Sequence, residues 1–221
     1  MATEAVENYL KAILTLSQES DAADATITRI AAVVGVTPST ATTMVKRLDR
    51  AGLARYERYG AVRLTAKGRR AASDVLRRHR IVELFLVQIV GLDWSEVHAE
   101  AERLEHAISP RLLDRLDEML GRPRSDPHGD PIPDADGRSD HARPGPITAC
   151  APGAHAAVAR VLDQGAEFLQ FLARAGLTPG TRVAVVAIDS IAGSITLKPE
   201  GRTALTLSLP VAQRILVTPA F

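Results

Sequence analysis

Residues 37–65 read TPSTATTMVKRLDRAGLARYERYGAVRLT. Thr37 offers the side-chain oxygen that a helix N-cap needs, and Pro38 suits the first helical position, where its missing N–H costs nothing. The spacing predicts a helix through Met44, Val45 and Leu48 that Gly52 ends. Two short alternating runs around Tyr59-Gly60 then predict a β-hairpin over Leu53 to Thr65. Upstream, Val6, Leu10, Ile13 and Leu14 recur at helical spacing, and Ile27, Ile30, Ala31 and Val34 do so again before Gly35. Two helices, a turn, a third helix and a basic hairpin make a winged helix-turn-helix.

The faces of that third helix divide cleanly. Ala41, Met44, Val45 and Leu48 face a core, while Ser39, Thr40, Thr42, Thr43, Lys46, Arg47 and Arg50 form the other side. Together with Thr37 and Pro38 this is a hydroxyl-rich start followed by a basic stretch. Small hydroxyls reach base edges and thymine methyls, and the cations behind them suit phosphates, which is how a recognition helix enters the major groove of DNA. Arg55, Arg58 and Arg63 equip the hairpin to hold the flanking backbone.

The 221 residues carry a net charge of +1, but the two signs are segregated. Residues 41–80 hold twelve Lys and Arg against Asp49, Glu57 and Asp74, a local balance of +9. Residues 81–120 hold nine acids against Arg103, Arg111 and Arg115, a balance of −6. The first block suits phosphate and the second suits cations. No run approaches the roughly 18 apolar residues of a membrane span, and the first residues lack the basic and apolar parts of a signal peptide, so a cytoplasmic protein is expected. Cys150 is the single cysteine. That excludes a disulfide framework and a cysteine-rich zinc finger, leaving His, carboxylates and amides to hold any metal.

Beyond the hairpin, a long helix is predicted from Lys67 to about Gly91 and another from Ser95 to about Leu120, broken at Pro110. The six prolines among residues 122–146 predict a linker or extended tether. A helix near Glu167 to Ala175 and short strands at 183–188, 195–197, 205–209 and 215–217 predict a small β-barrel. The fold class is therefore α+β, divided into a winged helix over 1–66, a helical dimerisation and metal-binding domain over 67–121, a Pro-rich linker over 122–146 and an SH3-like domain over 147–221. Val97, Leu104, Ile108, Leu112, Leu116 and Met119 form the expected homodimer stripe.

His98, Glu102, Glu105 and His106 stand at offsets 0, 4, 7 and 8, an arc of roughly 100° on one helical face. His79 and Glu83 are an i, i+4 pair on the preceding helix, a spacing that lets two side chains share an ion. Imidazoles and carboxylates in two stripes predict a divalent transition-metal site.

The stretches Arg78-His79-Arg80-Ile81-Val82-Glu83 and Val97-His98 to Ser109 resemble the iron- and manganese-dependent repressors of the diphtheria-toxin-repressor family. So do Tyr9-Leu10-Lys11, Thr37-Pro38-Ser39-Thr40, Pro127-His128-Gly129-Asp130-Pro131-Ile132-Pro133 and Leu177-Thr178-Pro179-Gly180, and the similarity spans nearly the whole chain. The resemblance implies two metal sites per subunit. An ancillary one falls on His79, Glu83 and His98, and a primary, activating one on Glu102, Glu105 and His106 plus an N-terminal residue, here Asn8. The barrel adds a ligand to the ancillary site in this pattern, and Asp163 and Gln164 are the nearest candidates. Glu102, where the iron branch has Cys, points to the manganese branch. Asn8 matches neither branch, and its uncharged amide implies weaker or less discriminating binding than Asp would give. The donor set favours Mn(II), and Fe(II), Co(II) and Zn(II) also fit nitrogen and oxygen ligands.

These readings imply a metal-dependent repressor that binds operator DNA as a dimer and controls metal homeostasis genes, not an enzyme. The first alternative is a metal-independent winged-helix regulator responding to an organic ligand. The second is a helical metalloenzyme, which leaves the basic wing unexplained.

Overall fold

A computed structural model describes residues 3–18, 25–57, 60–134, 137 and 144–220. The hairpin tip residues Arg58 and Tyr59 lie outside them, as does part of the Pro-rich segment. The chain divides into two compact units, one of Met1–His79, Leu104–Leu113 and Pro133–Ser139, the other of Arg80–Arg103, Asp114–Ile132 and Asp140–Phe221.

In the first unit, helices α1 (Glu4–Gln18), α2 (Ile27–Val34) and α3 (Pro38–Arg50) precede strands β1 (Ala54–Tyr56) and β2 (Val62–Leu64), and α4 (Ala66–Phe85) begins directly after. The punctuation is local chemistry. Thr26 Oγ1 accepts from Arg29 N to start α2. Gly35 ends it at φ 72°, letting Val36 N bond Ala31 O at 2.9 Å. Thr37 Oγ1 then caps α3 by accepting from Thr40 N at 3.3 Å. β1 and β2 pair antiparallel with Arg55 opposite Arg63. Thr65 ties the hairpin to α4, donating from Oγ1 to Gly52 O and accepting there from Gly68 N. Gly68 is required because a Cβ there would sit 1.8 Å from Leu53 O. Leu10, Ile13, Leu14, Ile30, Ala41, Val45, Leu48, Val62 and Leu76 close one core beneath the winged helix.

α4 ends in a single π-turn, Leu86–Val90, stopped by Gly91 at φ 83°. The expected helix from 95 to 120 is two helices, α5 (Val97–Leu104) and α6 (Pro110–Met119). Pro110 opens α6, and the chain leaves the helix already at residue 105. Glu105 and His106 therefore stand in a turn, not on the α5 face that their spacing suggested. Of the expected dimer stripe, Val97 and Leu116 are buried within the chain, Ile108 is half-buried, and Leu104, Leu112 and Met119 are exposed.

The second unit holds a six-stranded antiparallel sheet in the order β3-β8-β4-β5-β6-β7, formed by β3 (Gly145–Pro146), β4 (His155–Val161), β5 (Arg182–Asp189), β6 (Ser194–Pro199), β7 (Leu205–Ser208) and β8 (Ile215–Pro219). Its core of Val158, Val185, Ile195, Leu197, Ile215 and Val217 packs with Leu169 and Leu172 of α7 (Ala166–Ala175). Leu209–Ala212 forms a short α8 between β7 and β8.

The segment 124–132, read as tether, is an ordered and partly buried loop. Asp126 Oδ1 accepts from the backbone N–H groups of His128 and Asp130, and Ile132 N bonds Arg124 O. Asp126, His128, Asp130 and Ile132 are all buried. Local side-chain bonds satisfy the backbone, so prolines here shape a turn.

Candidate metal centre and DNA-reading face

In the first unit, charged side chains converge from α1, α4 and the turn after α5. His106 lies between two acceptors on α1: Nδ1 is 2.7 Å from Glu7 Oε2 and Nε2 is 2.8 Å from Asn8 Oδ1. Glu7 Oε2 also accepts from Arg78 Nη2 at 2.9 Å. Glu105 is fully buried, with Oε2 2.6 Å from His79 Nδ1. Lys11 Nζ donates to Glu105 Oε1 at 2.8 Å and to Oε2 at 2.9 Å. Burial works to raise the Glu105 carboxyl, but His79 and Lys11 together hold it below the usual carboxylate range. Asn8 and Glu105 thus both lie against the His106 ring. His79, which the resemblance implies for the ancillary group, also lies against Glu105.

In the second unit, His98 stands between two carboxylates, with Nδ1 3.1 Å from Glu83 Oε1 and Nε2 3.6 Å from Glu102 Oε1. Here the i, i+4 spacing held, because both His98 and Glu102 are on α5. Glu83 is buried and follows His79 by one turn of α4.

Glu83 also belongs to a group that sequence reading missed. One ligand atom each from Glu83, Asp126 and His128 lie within 4.8 Å of one another, and all three residues are buried. His128 stacks on Trp94 with ring centroids 5.7 Å apart. Its Nε2 is 2.9 Å from Trp94 O. A carbonyl only accepts, so Nε2 carries a proton. The ring Nδ1 is buried without a hydrogen-bond partner, 3.9 Å from both Glu83 Oε2 and Asp126 Oδ1. A buried imidazole nitrogen beside two carboxylates belongs to a group of residue types suited to a divalent cation. Burial, then the charges of Asp130 and Glu83, push the Asp126 carboxyl well up, and Arg80 opposes them. The signal in the sequence was a histidine between two aspartates in Asp126-Pro127-His128-Gly129-Asp130.

Neither barrel residue joins this group. Asp163 Oδ2 takes Arg214 Nη1 at 2.5 Å and its Oδ1 accepts from Gly165 N. Gln164 Nε2 donates to Asp130 Oδ2 at 2.6 Å, bracing the loop that carries His128. Both are spent on structure because they flank the start of α7.

On α3, Ala41, Val45 and Leu48 are buried, while Thr37, Pro38, Ser39, Thr40, Thr43, Lys46, Arg47 and Arg50 are exposed and Thr42 is half-buried. Thr42 and Thr43 turn their hydroxyls back to Pro38 O and Ser39 O. Arg55 and Arg63 are exposed and directly opposed, a like-charge pair that disfavours the hairpin unless an anion lies against it. Arg58 is outside the described residues.

Three family models match in succession: iron dependent repressor, N-terminal DNA binding domain, over residues 1–62; iron dependent repressor, metal binding and dimerisation domain, over 65–134; and FeoA domain over 146–219. The chain is 33% identical to the iron-dependent repressor IdeR of Mycobacterium tuberculosis over 228 residues, covering 97% of this chain and 96% of that protein. It is 32% identical to the diphtheria toxin repressor of Corynebacterium diphtheriae over 210 residues, 90% of each. A solved manganese-dependent transcriptional repressor in complex with manganese superposes with a TM-score of 0.88 at 40% identity, covering 97% of this chain and 100% of the other. The chain belongs to the family of metal-dependent transcriptional repressors that includes IdeR and the diphtheria toxin repressor.

Proposed function

We propose that this chain is a cytoplasmic, homodimeric repressor that binds operator DNA when Mn(II), or alternatively Fe(II), occupies its metal sites, and so controls genes of metal uptake. The observation that carries the reading is the meeting of Asn8, on the first helix of the winged-helix core, with His106 and Glu105. A cation held by Asn8, Glu102, Glu105 and His106 supplies the divalent charge that fixes the first helix of the DNA-binding head. His79, Glu83 and His98 form the ancillary site, and Asp126 and His128 offer it further donors. In this reading the protein's own groups do the rest. Glu7 orients the His106 ring, Lys11 and His79 keep Glu105 ionised, and α3 with the Arg55 and Arg63 pair meets DNA. Exposed Leu104, Leu112 and Met119 support the dimer surface. Holding the head in one arrangement favours the spacing at which two recognition helices fit successive major grooves, roughly 34–36 Å apart.

Among the described residues no helix is long and apolar enough to cross a membrane. The test is binding to the protein's own promoter DNA with Mn(II), Fe(II), Zn(II) or chelator, in wild type and Glu102→Ala. Strong activation by Mn(II) that the substitution removes supports the reading, and the relative potencies identify the metal. Affinity indifferent to chelator would instead establish the metal-independent regulator.

A further inference from the structure

The site around Glu105 already contains a cation, and it belongs to the protein. Lys11 is buried on α1, and its ammonium is bonded to both oxygens of Glu105 while lying 3.4 Å from His79 Nδ1. Glu105 has no exposed surface, and its Oε2 is shared with His79. Both oxygens of the carboxylate that a metal ion would use are therefore engaged by an ammonium. We infer that Lys11 is a resident counter-ion of the sensing site, which a divalent ion must displace from Glu105, so that Lys11 sets the metal concentration at which the protein switches. This inference rests on the reading of Glu105 as a metal ligand.

The physical case is one of charge. An ionised carboxylate is tolerated in a protein interior only beside a compensating cation and with its oxygens hydrogen-bonded. Lys11 meets that need without metal and keeps Glu105 in place. A divalent ion at the same carboxylate repels the ammonium, and the flexible four-carbon lysine stem is suited to carry its charge away. Lys11 follows Asn8 by three residues on α1, on the same side of the helix. Without metal, α1 is joined to the turn after α5 through Lys11 and Glu105. Asn8 already meets His106 without metal, so a metal ion that displaces Lys11 gives up the first tie and keeps the one through Asn8.

A lysine among the buried Tyr9, Leu10, Ala12, Ile13 and Leu14 also needs this partner for its own burial. Arginine would not be equivalent. Its planar fork pairs bidentately with a carboxylate and holds it in a more fixed geometry.

The experiment measures Mn(II) binding directly, by the electron paramagnetic resonance of free Mn(II), on full-length wild type, Lys11→Leu, Lys11→Arg and Glu105→Ala, beside thermal unfolding without metal. Lys11→Leu is expected to bind Mn(II) about tenfold to a hundredfold more tightly, the equivalent of one charge-assisted hydrogen bond no longer broken. Its metal-free melting temperature falls, and added Mn(II) raises it by more than in wild type. Lys11→Arg binds several-fold more weakly than wild type, and Glu105→Ala loses the tight site. Equal or weaker binding by Lys11→Leu, with the tight site still abolished by Glu105→Ala, overturns the role of Lys11 and leaves the metal site standing. Tight binding that survives Glu105→Ala overturns the assignment of Glu105 and the inference with it. If Lys11→Leu does not fold without metal, Lys11→Arg decides alone, and equal or tighter binding by it refutes displacement.

Discussion

Asn8→Asp should lower the Mn(II) concentration needed for DNA binding. Asn8 Oδ1 lies 2.8 Å from His106 Nε2, so residue 8 faces the same space as the imidazole nitrogen proposed as ligand. One added charge about 4 Å from a unit cation contributes roughly 4 kcal/mol at an effective dielectric of about 20, and a divalent ion doubles that attraction. Three effects oppose it. The new carboxylate must be partly desolvated, Asn8 being half-buried, and it is repelled by Glu7 and Glu105, which already serve the site. A net gain of about 1.5–3 kcal/mol, or tenfold to a hundredfold in affinity, is what survives. Fluorescence anisotropy of labelled promoter DNA, titrated with Mn(II) at fixed protein, reads the shift, and the plateau affinity for DNA should not change. A threshold that stays put or rises means that residue 8 does not face the ion, and the tie between the first helix and the metal is wrong.

Glu7→Gln removes the carboxylate that holds His106 Nδ1 at 2.7 Å, and loss of such an orienting group should cost about 10–100-fold in Mn(II) affinity, read by calorimetry, with DNA affinity at saturating metal retained. Asp126→Asn should raise the metal-free melting temperature at neutral pH. Its folded pKa is raised by burial and by Asp130 and Glu83, so ionisation costs stability as pH rises above the unfolded value, and the advantage of Asn should vanish below about pH 4, where both states are protonated. A melting temperature lowered at neutral pH would contradict this, since Asn Oδ1 can still accept from His128 N and Asp130 N. Gly129→Ala meets both a φ of 86° and a Cβ 1.9 Å from Ala159 O, and should cost about 2–4 kcal/mol, whereas Gly35→Ala, at φ 72° with open space, should cost about 1 kcal/mol. Equal losses in urea unfolding would show that the loop shifts freely and does not fix His128.

Those perturbations divide between residues whose placement the sequence made legible and residues it hid. The caps and stops of α2 and α3 were readable because each depends on a residue within a few positions: Thr37 on Thr40, Gly35 on Ala31. His98 and Glu102 paired as expected for the same reason. Glu105 and His106 kept their neighbours but not their helix, since they answer to Lys11 and His79, 94 and 26 residues away, and to Glu7, 99 residues away. No periodicity carries such distances. β4 was missed because His155-Ala156-Ala157-Val158-Ala159 is poor in β-branched residues, and its pairing with β5 and β8 supplies what propensity does not. The loop 124–132 was mistaken for a tether because Pro, Gly and Asp serve tethers and tight turns alike. What separates the two is burial, here provided by Arg80 and Arg160 beside Asp130 and by His128 against Trp94.

The two buried acidic groups also differ in the state in which they await a cation. Lys11 and His79 hold the Glu105 carboxyl below its usual range, so in the proposed reading its group is charged before a metal binds, and an incoming ion exchanges with an ammonium. Burial, then the charges of Asp130 and Glu83, push the Asp126 carboxyl toward its protonated form, which opposes its service as a ligand. A site made of mutually repelling carboxylates responds to metal and pH together. In the proposed reading the first group lies beside the helix that carries Asn8, and the second on a loop braced by Gln164 and Asp130.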